Sequence, residues 1–106
     1  MGLFSSLFGT ADNTKLITVI KEGAFLVDVR SSSEFASGSV KAAVNIPLDN
    51  LQQQITKFKG KQNIVVFCRS GNRSSMAKNI LTQSGFKNVT DGGTWKNVKK
   101  ILADNS

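Results

Sequence analysis

The first sustained pattern along the chain is helical: Leu16, Ile17, Val19 and Ile20 recur at helical spacing behind Asp12 or Asn13 as a cap, and Gly23 follows as a stop. "AFLVDV", Ala24 to Val29, is then an unbroken apolar run between Gly23 and the polar residues Arg30 to Ser33, which predicts a short buried strand. "SEFASG" suits a single helical turn ended by Gly38, and "AAVNIP" a short extended piece broken by Pro47. Leu48, Leu51 and Ile55 form the next apolar stripe, a helix with Asp49 early in it, where negative charge suits the dipole. "NIVVF", Asn63 to Phe67, is the second clear strand and Ser74 to Ser84 the next helix. "KNVT" is a third strand, and Thr94 to Ala103 a closing helix carrying Trp95, Val98, Ile101 and Leu102. Strands alternate with helices throughout, and the clear strands are apolar rather than two-faced. This predicts an α/β domain, a parallel β-sheet flanked by helices on both faces. Such a sheet binds ligands at the carboxyl ends of its strands, and Cys68 stands at one of them.

Composition narrows the chemistry. With 106 residues, 40% of them hydrophobic, the chain is the size of one ordinary domain. Residues 12–106 are expected to form it, with residues 1–11 an amino-terminal extension expected to be flexible. One cysteine cannot make an internal disulfide, and the absence of histidine excludes Cys/His zinc sites and Cys/His catalytic dyads. There is no Cys-x-x-Cys, no Gly-x-Gly-x-x-Gly and no Gly-Lys-Ser phosphate loop. No metal and no organic cofactor is expected. The formal charge of +7, from 14 Lys and Arg against 7 Asp and Glu, favours anionic partners in general. Much of it is lysine in helix-like segments, Lys57, Lys59, Lys61, Lys96, Lys99 and Lys100, and the chain's aromatics fall mostly in apolar runs. These read as solvated faces, not as a nucleic-acid site. The apolar patch in "MGLFSSLFGTADN" follows no basic residue and is too short for a signal peptide core or a membrane span. A cytoplasmic, monomeric protein with no membrane partner is expected. Met1 to Ser6 fits the loose myristoylation pattern Met-Gly-x-x-x-Ser, but without basic residues in the first turn the reading goes against lipidation.

The informative stretch is "NIVVFCRSGNRSSMAKNIL", Asn63 to Leu81. Between Phe67 and the helix expected near Ser74 lie only Cys68, Arg69, Ser70, Gly71, Asn72 and Arg73. A loop this tight, with Gly71 free to take positive φ and Asn72 tolerant of it, can point successive backbone N–H groups inward as an anion cradle. The helix adds its positive end below, with Ser74 as candidate cap. A thiol in that field, beside two arginines, falls from its free pKa of about 8.5 toward or below neutrality. With no histidine to act as base, a cysteine enzyme here must use a pre-ionised thiolate. A buried structural cysteine is the alternative for a strand end. Two arginines and Gly71 within five residues turn the balance toward chemistry.

The segment resembles the active-site loop of the rhodanese family, single-domain sulfurtransferases that carry a sulfane sulfur as a cysteine persulfide. "LVDVRSSSEFASGSVKAAVNIPL", Leu26 to Leu48, is similar to the family's Asp-Val-Arg, Glu-Phe, Gly-His-Ile and Asn-Ile-Pro landmarks. "DGGTWKNV", Asp91 to Val98, resembles its Gly-Gly-x-x-x-Trp closing motif with a shorter spacer. Ser39 replaces the family's common His and Ala42 its usual Gly, and the family's usual first strand is hard to find in "SLFGTADN". The resemblance implies a rhodanese-like fold with Cys68 as catalytic residue and sulfur carrier. It implies that Arg69, Ser70, Gly71, Asn72, Arg73 and Ser74 bind substrate, their backbone N–H groups holding the persulfide's outer sulfur while Arg69 and Arg73 draw in a small anionic donor such as thiosulfate. The acceptor would be cyanide, a low-molecular-weight thiol or an acceptor protein. Asp28 and Arg30 fall at the same sheet edge, where bracing of the loop and a structural or solvated ion pair both stay open. Rival readings are a cysteine phosphatase or arsenate reductase on the same fold, and a non-catalytic binding module. The phosphatase signature places five residues between cysteine and arginine, whereas four lie between Cys68 and Arg73.

Overall fold

The structure, a computed structural model, describes residues 13–105. The expected extension, the Met1–Ser6 pattern and Asp12 as a cap lie outside these residues. In chain order the elements are α1 (Thr14–Lys21), β1 (Phe25–Asp28), α2 (Ser32–Ala36) and β2 (Val44–Asn45), then two 3₁₀ segments (Leu48–Asn50 and Gln52–Phe58). β3 (Ile64–Cys68), α3 (Asn72–Gln83), β4 (Val89–Thr94) and α4 (Trp95–Asp104) complete them. The four strands lie in the order β2-β1-β3-β4 and every pair is parallel. No helix among the described residues is long and apolar enough to cross a membrane.

β3 explains why "NIVVFC" reads as an unbroken apolar run. All five of its residues are buried, because both faces of the strand are covered. Ile64, Val66 and Cys68 face Ala77 and Leu81 of α3, with Leu51 and Phe58 of the 3₁₀ segments in the same cluster. Val65 and Phe67 face Leu16, Val19 and Ile20 of α1 and Val98 and Ile101 of α4. At roughly 1.5–3 kcal/mol for each large apolar side chain taken out of water, this strand is the main anchor of the fold. Its last residue is the cysteine.

Three local readings need correction. The Leu48–Phe58 stretch is not one α-helix but two 3₁₀ pieces, with a non-helical residue at Gln54 (φ −114°, ψ 22°). The apolar residues pair at spacing three, Leu48 with Leu51 and Ile55 with Phe58, which suits the eclipsed geometry of a 3₁₀ turn, and the break falls between the pairs. α3 begins at Asn72, two residues ahead of expectation, and Ser74 is inside the helix instead of capping it. Asn13 occupies the cap position of α1 but makes no side-chain capping bond.

The third expected strand is longer than "KNVT". β4 runs through Asp91, Gly92 and Gly93 to Thr94 by means of a bulge: Val66 pairs with Asp91 and Phe67 with Gly93, so Gly92 is the extra residue. A Cβ on Gly92 would stand 2.8 Å from Val98 Cγ2 and 3.0 Å from Val65 Cγ1. Gly93 has φ +76° and donates its N–H to Asp91 Oδ1 at 2.9 Å. The "DGG" sequence is thus a bulge that lets α4 lie close to the sheet. Thr94 then caps α4, accepting from Asn97 N, and Trp95 is the helix's first residue.

Candidate active site

β3 delivers Cys68 to the carboxyl edge of the sheet with its side chain fully buried. The chain turns at once through Arg69, Ser70 and Gly71 into α3. Gly71 sits at φ +99°, with nothing within 4 Å of a Cβ there, so the requirement is for backbone conformation and not for space. This turn brings two backbone donors onto one sulfur: Gly71 N–H at 3.1 Å and Ser74 N–H at 3.3 Å from Cys68 Sγ. Ser74 is buried, and its hydroxyl donates to Gly71 O at 3.1 Å and to Gly93 O at 3.5 Å, tying the loop to the bulge of β4. No acidic residue stands in the first turn of α3 to cancel its positive end.

The electrostatic result is a thiol held below its ordinary pKa. Burial pushes Cys68 up, but the Ser74 N–H and hydroxyl together with the N–H groups of Gly71 and Ser70 pull it further down. These hydrogen bonds act ahead of either arginine. Arg73 and the thiolate do favour one another, yet for Arg73 the larger influence is a different group. That group is Glu34 of α2. Its Oε1 lies 2.7 Å from Arg73 Nη1 and its Oε2 3.1 Å from Nη2, a two-pronged ion pair across 39 residues of sequence. The Arg73 hydrogen bond, helped by Ser31, brings the Glu34 carboxyl down to about 2.

The two arginines of the loop are therefore not equivalent. Arg73 is already engaged, and with Asp49, Asn50 and Ser32 it lines a hollow of about 400 Å³ on one side. Arg69 is exposed and lines a groove of about 370 Å³ on the other, with Arg30, Glu34, Ser37, Trp95 and Lys96. Arg69 faces an open groove, whereas Arg73 is held by Glu34. Ser70 and Asn72 are exposed at the loop's surface, and Asn72 opens α3.

Asp28 and Arg30 form a buried pair. Arg30 Nη2 lies 2.7 Å from Asp28 Oδ2 and donates to Gly38 O at 2.7 Å, and its guanidinium lies 4.9 Å from the Trp95 ring centroid. Ser39 Oγ donates to Asp28 Oδ2 at 2.6 Å, so the residue in place of the family's usual His completes this network. The pair braces the Gly38 turn and Trp95. Sequence reasoning missed Glu34 and the cluster of Trp95, Lys96 and Lys99. Ser31-x-x-Glu34 is a legible capping box, and it forms, but its second duty to Arg73 has no local signal.

Comparison with known proteins agrees with this geometry. Residues 12–96 match the profile of the family described as "Rhodanese-like domain". A Schizosaccharomyces pombe protein is 34% identical over 84 residues, covering 66% of this chain but 59% of that one, less than two thirds of its length. The Escherichia coli protein named "Thiosulfate sulfurtransferase PspE" is 31% identical over 74 residues, covering 68% of this chain and 71% of that one. Among solved structures, one described as "rhodanese with anions from E. coli" superposes with a TM-score of 0.63 at 31% identity, covering 69% of this chain and 88% of that chain.

Proposed function

The chain belongs to the rhodanese-like domain family, and we propose that it is a sulfurtransferase that carries a sulfane sulfur on Cys68 as a persulfide. The observation that carries this reading is the convergence of the Gly71 and Ser74 N–H groups on Cys68 Sγ at the positive end of α3. These donors keep the thiolate available as nucleophile without a base. In the first half-reaction the thiolate attacks the sulfane sulfur of a donor. The donor's S–S bond breaks, and its remaining fragment, sulfite in the case of thiosulfate, leaves with the electron pair. The outer sulfur of the new persulfide carries negative charge, and the N–H groups of the Arg69–Ser74 loop are the donors for it. In the second half-reaction a thiophilic acceptor removes that sulfur and restores the thiolate.

Thiosulfate as donor, cyanide, a thiol or a protein as acceptor, a monomeric state and a cytoplasmic setting belong to the same proposal. The rival phosphatase reading is disfavoured by loop length, since four residues lie between Cys68 and Arg73, one fewer than in the phosphatase signature. Intact mass after incubation with thiosulfate tests the proposal. Cys68 gains one sulfur atom, which cyanide removes as thiocyanate, and Cys68→Ser gains none. Wild-type protein that stays at its starting mass, or a folded Cys68→Ser protein that still makes thiocyanate, refutes it.

A further inference from the structure

The cations around the cysteine loop divide into two groups. Arg30 is paired with Asp28, and Arg73 with Glu34. Arg69, Lys96 and Lys99 have no carboxylate partner among the described residues. Arg69 and Lys96 converge on one groove, and Lys99 lies near the same Trp95 ring. Cys68 pairs with Thr94 in the sheet register, so Arg69 and Trp95 leave neighbouring strands at the same level. Arg69, Trp95 and Lys96 line the 370 Å³ groove there, and the Lys96 and Lys99 ammonium groups each lie 5.8 Å from the Trp95 ring centroid. Lys96 and Lys99 are three apart on α4 and so share a face of that helix. Within the groove the charges of Glu34 and Arg30 are cancelled by their partners, which leaves Arg69 and Lys96 uncompensated there, with Lys99 next along α4 beside Trp95.

We propose that this groove is the acceptor site, and that the acceptor is a small thiol carrying two or more negative charges of the phosphate type. The assignment rests on the persulfide reading of Cys68 given above. A compact donor such as the thiosulfate dianion is served by the cradle and Arg69, which it can reach without touching α4. The two α4 lysines extend the positive field away from the cysteine, and only an anion that reaches from the loop to α4 meets all three charges. A small molecule fits better than a protein. The groove has the volume of a small-ligand site, whereas a protein partner needs about 800 Å² of surface with a buried apolar centre. The exposed large hydrophobic residues among those described, Val44 and Met76, do not line the groove. In the transfer step the acceptor thiolate attacks the outer sulfur of the persulfide, a bond forms between the two sulfurs, and the bond to Cys68 Sγ breaks. The electron pair stays on Cys68 as thiolate and the acceptor leaves as its own persulfide, with no further oxidant or reductant.

The single tryptophan makes the groove directly observable. Inorganic pyrophosphate is titrated into ¹⁵N-labelled Cys68→Ser protein while the indole N–H resonance of Trp95 is followed. The resonance shifts saturably, and Lys96→Gln/Lys99→Gln in the same background weakens the affinity about fivefold, the size that two exposed ion pairs supply. Lys57→Gln/Lys59→Gln, with the same loss of charge before β3 at the sheet's other end, leaves it unchanged. A kinetic arm uses preformed persulfide on the wild type and compares coenzyme A with pantetheine, the same thiol arm with and without phosphates. Coenzyme A reacts with a kcat/KM about tenfold higher, and the ratio falls toward one in the Lys96→Gln/Lys99→Gln protein. An unmoved Trp95 resonance, a shift indifferent to the α4 lysines, or equal reaction of the two thiols overturns the assignment. Failure to form the persulfide at all sinks the reading of Cys68 instead, and the titration still judges the groove.

Discussion

Replacing Gly92 by alanine tests whether the bulge in β4 exists to bring α4 onto the sheet. The new Cβ would stand 2.8 Å from Val98 Cγ2, 3.0 Å from Val65 Cγ1 and 3.3 Å from Val66 O. Ordinary carbon contacts lie at about 3.5–4.0 Å, so two methyl groups must each retreat by about 0.5 Å or more. Neither has room, since Val98 and Val65 are both fully buried, one on α4 and the other on β3. Overpacking of this kind costs about 1–3 kcal/mol, and with both neighbours pinned the upper half of that range applies. The stiffer unfolded chain returns about 0.4–1 kcal/mol, for a net loss of about 2 kcal/mol. For a domain of this size that lowers Tm by roughly 8–16 °C. Thermal and urea unfolding followed by circular dichroism measure it, with Gly71→Ala as companion. At Gly71 a Cβ meets nothing, so only the strain of a positive φ is felt, about 1–2 kcal/mol, while the donors to Cys68 Sγ are displaced. A Gly92→Ala protein within about 2 °C of wild type would refute the close-packing account of the bulge.

Two pH predictions follow from the site. Because hydrogen bonds hold the Cys68 thiol below its ordinary value, alkylation by iodoacetamide has its midpoint at lower pH in the native protein than in the urea-unfolded chain. Ser74→Ala moves that midpoint up, and coincident native and unfolded midpoints would contradict the cradle. The same lowered value means that the thiolate's contribution to stability is complete above the unfolded thiol pKa, about 8.5, and is lost as pH falls through the native one. Glu34 follows the same sign at lower pH: its native carboxyl titrates near 2 against 4.5 ordinarily, so its pairing with Arg73 stabilises the fold above about 4.5 and is lost on descent through about 2. The Tm gap between wild type and Glu34→Gln accordingly shrinks as pH is lowered from about 5 to 2, and a gap independent of pH would show that the pair contributes nothing.

The elements that could be read along the chain were those whose signal is local. "NIVVF" carries its double burial in its own composition, and the loop after it carries Gly71, whose positive φ no other residue type adopts at so little cost. The 3₁₀ turns were misread because Leu48, Leu51 and Ile55 satisfy a helical spacing as well as a 3₁₀ one. The choice was made by Leu51 and Phe58, which both had to reach the core around a break at Gln54. Ser74 resembled a cap because it is the first serine after the loop. Gly71 takes that position three residues earlier, which leaves Ser74 free to bridge to Gly93. The site's partition of its arginines was beyond sequence, because it depends on Glu34 reaching Arg73 and on Trp95 standing beside Arg69 across paired strands.

Cys68 is the chain's sole thiol and is buried beneath its own loop, and this shapes its redox life. Disulfide relief of an oxidised cysteine needs a second sulfur, and this chain has none to supply as a resolving partner. A Cys68 sulfenic acid can therefore be rescued only by a thiol arriving from outside. The same holds for the proposed persulfide, whose discharge needs an acceptor from outside this chain. The protein's oxidation state is thereby coupled to the thiol concentration around it. A single labelled sulfur on this chain reports one site and one event.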